Sequence, residues 1–122
     1  MNRLGLEPLR VGSLTVEVLD AGDSVSVVLR GDSDAREAGS SLNEYLTRRV
    51  HPAVLGAALR QIQLDVTGLE FLNSSGIKAL VNWLLLVKQQ PVELRYGIVL
   101  QYDEGITWQS KNLHPLTNVA PT

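Results

Sequence analysis

One stretch of the sequence, from Gln61 to Gln90, constrains the fold more than any other. Within Gln61 to Val66, "QIQLDV", apolar and polar side chains alternate, which predicts a strand with one face on the core. Beyond a short turn the apolar spacing becomes helical, which predicts a helix from about Ser74 to Gln90 that Pro91 closes. Its predicted core stripe is Ile77, Leu80, Val81, Leu84 and Val87. An apolar strand that leads directly into an apolar helix indicates a helix packed on a sheet.

The other elements alternate between strands and helices in the same way. Residues 14–20 and 24–30 predict a hairpin, and helical spacing from Ala38 ends near Val50, where His51-Pro52 is expected to break the helix. Further predicted elements are a helical turn within 53–60, a strand at 92–100, a short helix within 103–116 and a strand at 118–120. We therefore predict one α/β domain over residues 1–122, with its core at about 13–120. It has a mixed, mostly parallel sheet of four to five strands and three to four helices. The first dozen residues are expected to fray.

Composition excludes several classes of protein. The 122 residues are 44% hydrophobic and 20% charged, as in soluble globular domains, and contain no cysteine. A net charge of −2 lacks the basic footprint of a nucleic-acid-binding protein. The longest apolar run, Trp83 to Val87, is too short to span a membrane, so we expect a cytoplasmic protein. His51 and His114 each precede proline and are interpreted as turn residues, so no metal or cofactor is expected.

The junction between the predicted strand and the predicted helix contains Asn73, Ser74 and Ser75. All three are good helix caps, so one interpretation is that one of them satisfies a free backbone N–H group. The other interpretation is that a hydroxyl accepts a phosphate, because the N-terminus of a helix favours an anion. The two interpretations are compatible, since a capped turn can also be modified.

The stretch "LDVTGLEFLNSSGIKAL" resembles the signature of STAS domains, the fold of the anti-sigma factor antagonists. In that family the strand leads to Asp-Ser-Ser-Gly or Asp-Ser-Thr-Gly, and a partner kinase of the anti-sigma type phosphorylates the first hydroxyl residue. The resemblance implies that Ser74 is the acceptor, with Ser75 as second choice. Gly76 is then the position where the backbone allows close approach, and Asn73 replaces the family's aspartate.

The upstream stretch "VLRGDSD" resembles the family's strand followed by Gly-Glu-Leu-Asp, with Gly31 and Asp34 matching and Ser33 in place of leucine. Asp32 and Asp34 are expected to face the Ser74 turn across the strand ends, the edge where open sheets bind ligands. The alternative interpretation of these residues is turn chemistry and helix capping.

The predicted helix after Ser74 carries a second apolar stripe, formed by Ala79, Trp83 and Leu86. Either the first helix and the C-terminal segment cover this stripe, or it is a partner-binding surface with Trp83 as anchor. We take Ala79, Trp83 and Leu86 as candidate partner contacts.

The sequence favours a non-enzymatic, STAS-like bacterial regulator that binds a protein partner and is controlled at Ser74. Two alternatives stay open: a constitutive scaffold that forms a homodimer through the Trp83 stripe, and a module that binds a small ligand or nucleotide at the strand ends. A serine hydrolase is disfavoured, because Asn-Ser-Ser-Gly is not Gly-x-Ser-x-Gly and neither histidine has the context of a base. No catalytic residue is therefore assigned.

Overall fold

The computed structural model describes residues 4–22, 24–33 and 38–101, which form a five-stranded sheet and a layer of helices. The strands are β1 (Leu9–Val11), β2 (Leu14–Ala21), β3 (Ser24–Ser33), β4 (Gln61–Leu72) and β5 (Gly97–Gln101). They lie in the order β1-β2-β3-β4-β5. No helix in the described ranges is both long enough and apolar enough to cross a membrane.

The sheet is mixed, as predicted, but it is not mostly parallel. β1 and β3 both run antiparallel to β2, whereas β3, β4 and β5 are parallel to one another. The additional antiparallel pair comes from β1, which lies in the segment that we expected to fray. Gly12 adopts a positive φ of 58° in the tight turn after Val11, and this turn lets β1 fold back on β2.

The first helical region is continuous, contrary to the predicted break at His51-Pro52. α1 (Ala38–Tyr45) passes through a π-helical turn (Leu46–Val50) into α2 (His51–Gly56). Pro52 has no N–H group, and its ring crowds the carbonyl four residues earlier. The helix widens ahead of it, so that the His51 N–H group donates to the carbonyl of Leu46, five residues back.

The described residues thus contain two continuous helical bodies, 38–56 and α3 (Ser74–Gln89), and a short 3-10 turn at Val92–Leu94. This is fewer than the three to four helices predicted. The 3-10 turn also shortens the strand that was predicted to begin at Val92. The helix predicted within 103–116 and the strand predicted at 118–120 lie outside the described residues.

The hydrophobic core lies between one face of the sheet and the helices. Alternate strand residues supply its floor, and α3 packs against both the sheet and α1. The buried strand residues on this face include Leu14, Val16, Val27, Leu29, Ile62 and Leu64. The opposite face carries polar side chains, among them the Glu17–Arg30 ion pair at 3.4 Å. The fold therefore has one helix-covered face and one mainly polar face, which also carries the apolar residues Leu19 and Val28.

Parallel pairing of β3 and β4 places their carboxyl ends together. Ser33, the last residue of β3, pairs with Leu72, the last residue of β4. β4 is longer than the predicted Gln61–Val66 and runs directly into the turn at Asn73. The start of α3 and the residues that end β3 consequently share one edge of the sheet.

Candidate functional site

Asn73 caps α3. Its backbone is extended (φ −74°, ψ 175°), and its side-chain Oδ1 accepts a hydrogen bond of 2.9 Å from the Gly76 N–H group. Its carbonyl accepts the 3.0 Å bond from the Ile77 N–H group that begins the helix. Of the three residues that the sequence left as candidate caps, the structure selects the asparagine.

Ser74 and Ser75 are both exposed, and neither hydroxyl makes a hydrogen bond with another described residue. Because Asn73 supplies the cap, neither serine is needed for it. Ser74 lies at the surface of the described part of the chain. It also stands at a helix N-terminus, whose first N–H groups have no partner within the helix. Phosphorylation of Ser74 itself stays a prediction.

Gly39 brings the first turn of α1 directly against the first turn of α3. A Cβ atom built on Gly39 would overlap the Cβ of Ser75 and lie 3.0 Å from its carbonyl carbon. Gly39 is buried and has an ordinary helical φ, so the constraint is space rather than backbone conformation. Gly39 lies inside the predicted first helix and was expected to be solvated, whereas the structure buries it. A glycine inside a helical pattern is a signal of close approach.

Gly31 and Asp32 lie near the end of β3, at the same edge of the sheet as the Ser74 turn. Gly31 has a φ of +89°, and a Cβ there would overlap the Ser13 carbonyl oxygen, so this position requires glycine. Asp32 is half-buried, and its N–H group donates to the same carbonyl at 3.4 Å. The predicted site residue Asp34 lies outside the described residues.

Phe71 is an aromatic residue near the turn that was not among the predicted site residues. It pairs with Asp32 across β3 and β4, two residues before the cap, and 45% of its surface is exposed. An apolar residue in an apolar stretch gives no sequence signal of exposure. Its exposure is evident only in the folded chain, where Phe71 lies one residue before the end of β4.

The prediction that Ala79 and Trp83 contact a partner is wrong for this folded chain. Their exposed fractions are 1% and 0%, because the sheet and α1 bury α3 on two sides. Gly76 is buried as well, while Leu86 is half-buried. Of the three predicted contacts, only Leu86 reaches the surface.

Trp83 belongs to a buried polar network instead. Its indole Nε1–H donates to the Tyr96 hydroxyl at 2.9 Å, and that hydroxyl lies 2.7 Å from Nδ1 of His51. Since the Tyr96 oxygen accepts from the indole, its own proton is assigned to the bond with His51, which then accepts through Nδ1. These two hydrogen bonds join α2, α3 and the segment before β5.

Burial controls the titration of this network. It raises the pKa of Tyr96 well above its usual range, against the smaller opposing effect of the Trp83 hydrogen bond. It also lowers the pKa of His51. His51 was predicted to be a turn residue, whereas the structure shows it buried and hydrogen-bonded to Tyr96. His51 is consequently not available to act as a base for Ser74.

The exposed side of α3 begins with the two serines. Helical spacing puts Ser74, Lys78, Asn82 and Leu85 on one side, and Leu85 is 42% exposed. Asn82 Nδ2 donates to Asn43 Oδ1 of α1 at 2.9 Å, which joins the two helices along this side. A partner that reaches Ser74 can therefore continue along this side of α3.

No candidate metal cluster in the described part of the chain coincides with the Ser74 turn. The described ranges contain no group of three or more His, Cys, Asp or Glu side chains placed to hold a metal ion. A cleft of about 480 Å³ lies beside β2, lined by residues 6–8 and 17–20, and includes no residue of the turn.

Comparison with known proteins gives a structural relative but no sequence relative. No family model matches the chain, and no curated protein does. The structure is similar to the crystal structure of an anti-sigma factor antagonist from Mycobacterium paratuberculosis, with a TM-score of 0.59 and 24% sequence identity. The similarity covers 93% of this chain and 88% of that one. The chain therefore has the STAS-like fold of an anti-sigma factor antagonist.

Proposed function

We propose that this protein is a non-enzymatic regulatory module that binds another protein, and that phosphorylation of Ser74 controls this binding. The main observation behind the proposal is that Asn73, and not Ser74, caps α3. The Ser74 hydroxyl is therefore exposed and free of any structural hydrogen bond to the described residues. A serine with no structural task at a helix N-terminus is suited to reversible modification.

A phosphate on Ser74 would change the local charge strongly. It adds about −1.5 to −2 charges and three strong acceptor oxygens at a helix end that favours an anion. Lys78 lies four residues along the helix, on the same side, and is exposed. The helix N-terminus and Lys78 would therefore stabilise the phosphate. The surface around Ser74, where a partner would bind, would become acidic.

The fold supports a proposal for the modifying enzyme and for the cellular setting. The similar structure is named an anti-sigma factor antagonist, which favours an anti-sigma-type serine kinase as the partner of this chain. We place the protein in the bacterial cytoplasm on the same grounds. Catalysis by Ser74 finds no support, because His51 is buried against Tyr96 and the turn has no other described histidine.

Self-association through Ala79 and Trp83 also loses its basis, since both side chains lie in the core. A scaffold or homodimer would have to use another surface. Sedimentation of the unmodified chain tests this alternative directly, and a monomer at micromolar concentration would remove it.

The experiment that tests the proposal is intact-mass analysis after incubation with bacterial lysate and ATP. We expect the wild-type chain to gain one phosphate group, Ser75→Ala to gain it equally, and Ser74→Ala not to gain it. Ser75→Ala is the matched control, because it removes the same atom one residue away. A chain that never gains phosphate, or a Ser74→Ala variant that still does, contradicts the proposal.

A further inference from the structure

A groove runs between α1 and α3 on the outer side of the helical layer. It has a volume of about 310 Å³ and is lined by Asn43, Thr47, Asn82, Leu85, Leu86 and Gln89. The Asn82–Asn43 hydrogen bond of 2.9 Å fixes the two helices to each other, and Thr47 donates to the Asn43 carbonyl at 2.6 Å. The amide and hydroxyl groups of the groove are thus held in place, while its leucines are left to solvent.

The apolar part of the groove is a leucine pair near the end of α3. Leu85 is 42% exposed and Leu86 is half-buried. Their near neighbours Trp83 and Val87 point to another side of α3 and are fully buried. Two neighbouring leucines in a formed groove provide a place for one or two apolar side chains of another molecule.

The helical layer around this groove is basic. Residues 38–56 and 74–89 carry four basic side chains, Arg48, Arg49, Lys78 and Lys88, against one acidic side chain, Glu44. This is a surplus of three positive charges in a chain whose net charge is −2, so the remainder of the chain is acidic. Arg48, Lys78 and Lys88 are exposed, and none makes an ion pair with a described residue. Unpaired basic groups around an apolar contact fit an acidic partner.

We propose that this groove, lined by Leu85 and Leu86, binds an acidic amphipathic helix of a partner protein. The charged contacts come from Lys78 and Lys88, which stand four residues before Asn82 and three residues after Leu85 on α3. The apolar face of that helix packs on the leucines, and its carboxylates pair with the basic groups. The inference rests on the proposed partner-binding function and adds the chemistry of the partner. It also gives the switch a physical basis, because a phosphate on Ser74 would compete for Lys78 and repel the carboxylates.

Two synthetic helical peptides test the groove. Both carry leucines at the same i and i+4 positions, and one has glutamate and the other lysine at the flanking positions. We expect the glutamate peptide to bind by fluorescence anisotropy, more weakly as salt rises, and the lysine peptide to bind at least about ten-fold more weakly. Amide chemical-shift changes should map to α1 and α3.

Charge-reversal variants locate the contact. Lys78→Glu should weaken the glutamate peptide at least about ten-fold, while Arg60→Glu, which makes the same charge change at an exposed residue before β4, should leave binding unchanged. Equal binding of both peptides, equal binding by both variants, or shift changes on the polar face of the sheet would overturn the proposal. A dimer that Leu85→Ser disrupts would also overturn it, by assigning the groove to a second copy.

The outcome for the groove is separable from the outcome for the switch. If the glutamate peptide binds wild type and Ser74→Asp equally but fails with Lys78→Glu, the groove assignment holds and control through Ser74 is refuted. If Ser74→Asp alone weakens binding and Lys78→Glu does not, the groove assignment fails while Ser74 retains its role.

Discussion

Replacing Gly39 by alanine tests the close approach of α1 to the Ser74–Ser75 turn, on which the geometry of the candidate site depends. Two effects of opposite sign compete. Alanine is a better helix former than glycine by about 1 kcal/mol, and the φ of Gly39 is an ordinary helical value, so helix propensity alone predicts stabilisation. The added Cβ, however, would overlap Ser75 Cβ and lie 3.0 Å from its carbonyl carbon and 3.2 Å from its Cα.

The steric effect should win. Carbon atoms pack at about 3.5–4.0 Å, so α1 would have to move away from α3. Two of the three near atoms are backbone atoms of a capped helix turn and cannot rotate aside. Overpacking of this kind costs about 1–3 kcal/mol. After subtraction of the gain in propensity of about 1 kcal/mol, we expect Gly39→Ala to lower the free energy of unfolding by up to about 2 kcal/mol.

Urea unfolding followed by circular dichroism measures this change, and Gly56→Ala is the matched control. Gly56 is also helical, but a Cβ there would meet no atom within 4 Å. Gly56→Ala should therefore be neutral or stabilising by up to about 1 kcal/mol. In a double-mutant cycle, Ser75→Gly should recover part of the loss, since it removes the nearest atom. If Gly39→Ala proves as stable as Gly56→Ala, α1 does not pack on Ser75 and the geometry of the site is incorrect.

Three further outcomes follow from the structure. Tyr96→Phe should lower the free energy of unfolding by about 2–4 kcal/mol, because it leaves the Trp83 N–H and His51 Nδ1 groups buried without partners. Tyr45→Phe, which removes a single bond to the Glu7 carbonyl, should cost only about 1 kcal/mol, and equal losses would refute the network. Because burial holds the pKa of His51 below its usual 6.5, the unfolded chain takes up a proton first as pH falls. The free energy of unfolding should accordingly decrease below about pH 6.5, and His51→Asn should lose that slope between pH 5 and 7. Asn73→Ala should cost about 0.5–2 kcal/mol through loss of the cap, and Ser74→Ala should cost almost nothing; the reverse order would show that Ser74 is the cap.

Much of the candidate site could be located from the sequence. Alternation in Gln61–Val66 followed by helical spacing from Ser74 predicts a strand that feeds a helix, and the structure has this arrangement. The resemblance around Asn73–Gly76 implies the STAS fold, which the structural comparison supports. These features are local, since strand, turn and helix each depend on neighbours in the chain.

Other features could not be predicted, because they depend on what lies across the fold. The sequence shows that α3 is apolar on most of its circumference, but not that α1 covers one side and the sheet another. Trp83 therefore looked like a partner anchor, although it is sealed against Tyr96, a residue outside its own helix. β1 was missed for a similar reason, since three residues become a strand only when β2 offers them an edge.

The sequence by itself determined that a strand, a polar turn and an apolar helix follow one another, because side-chain alternation and helical spacing are set by backbone geometry. Only the tertiary structure determined which side chains of this strand, turn and helix are exposed and which residue caps the helix. It assigned the cap to Asn73 and left the Ser74 hydroxyl in solvent, and it buried Trp83 while exposing Leu85. Exposure is a property of the packed elements together, so it is fixed only when the sheet, α1 and α3 are assembled.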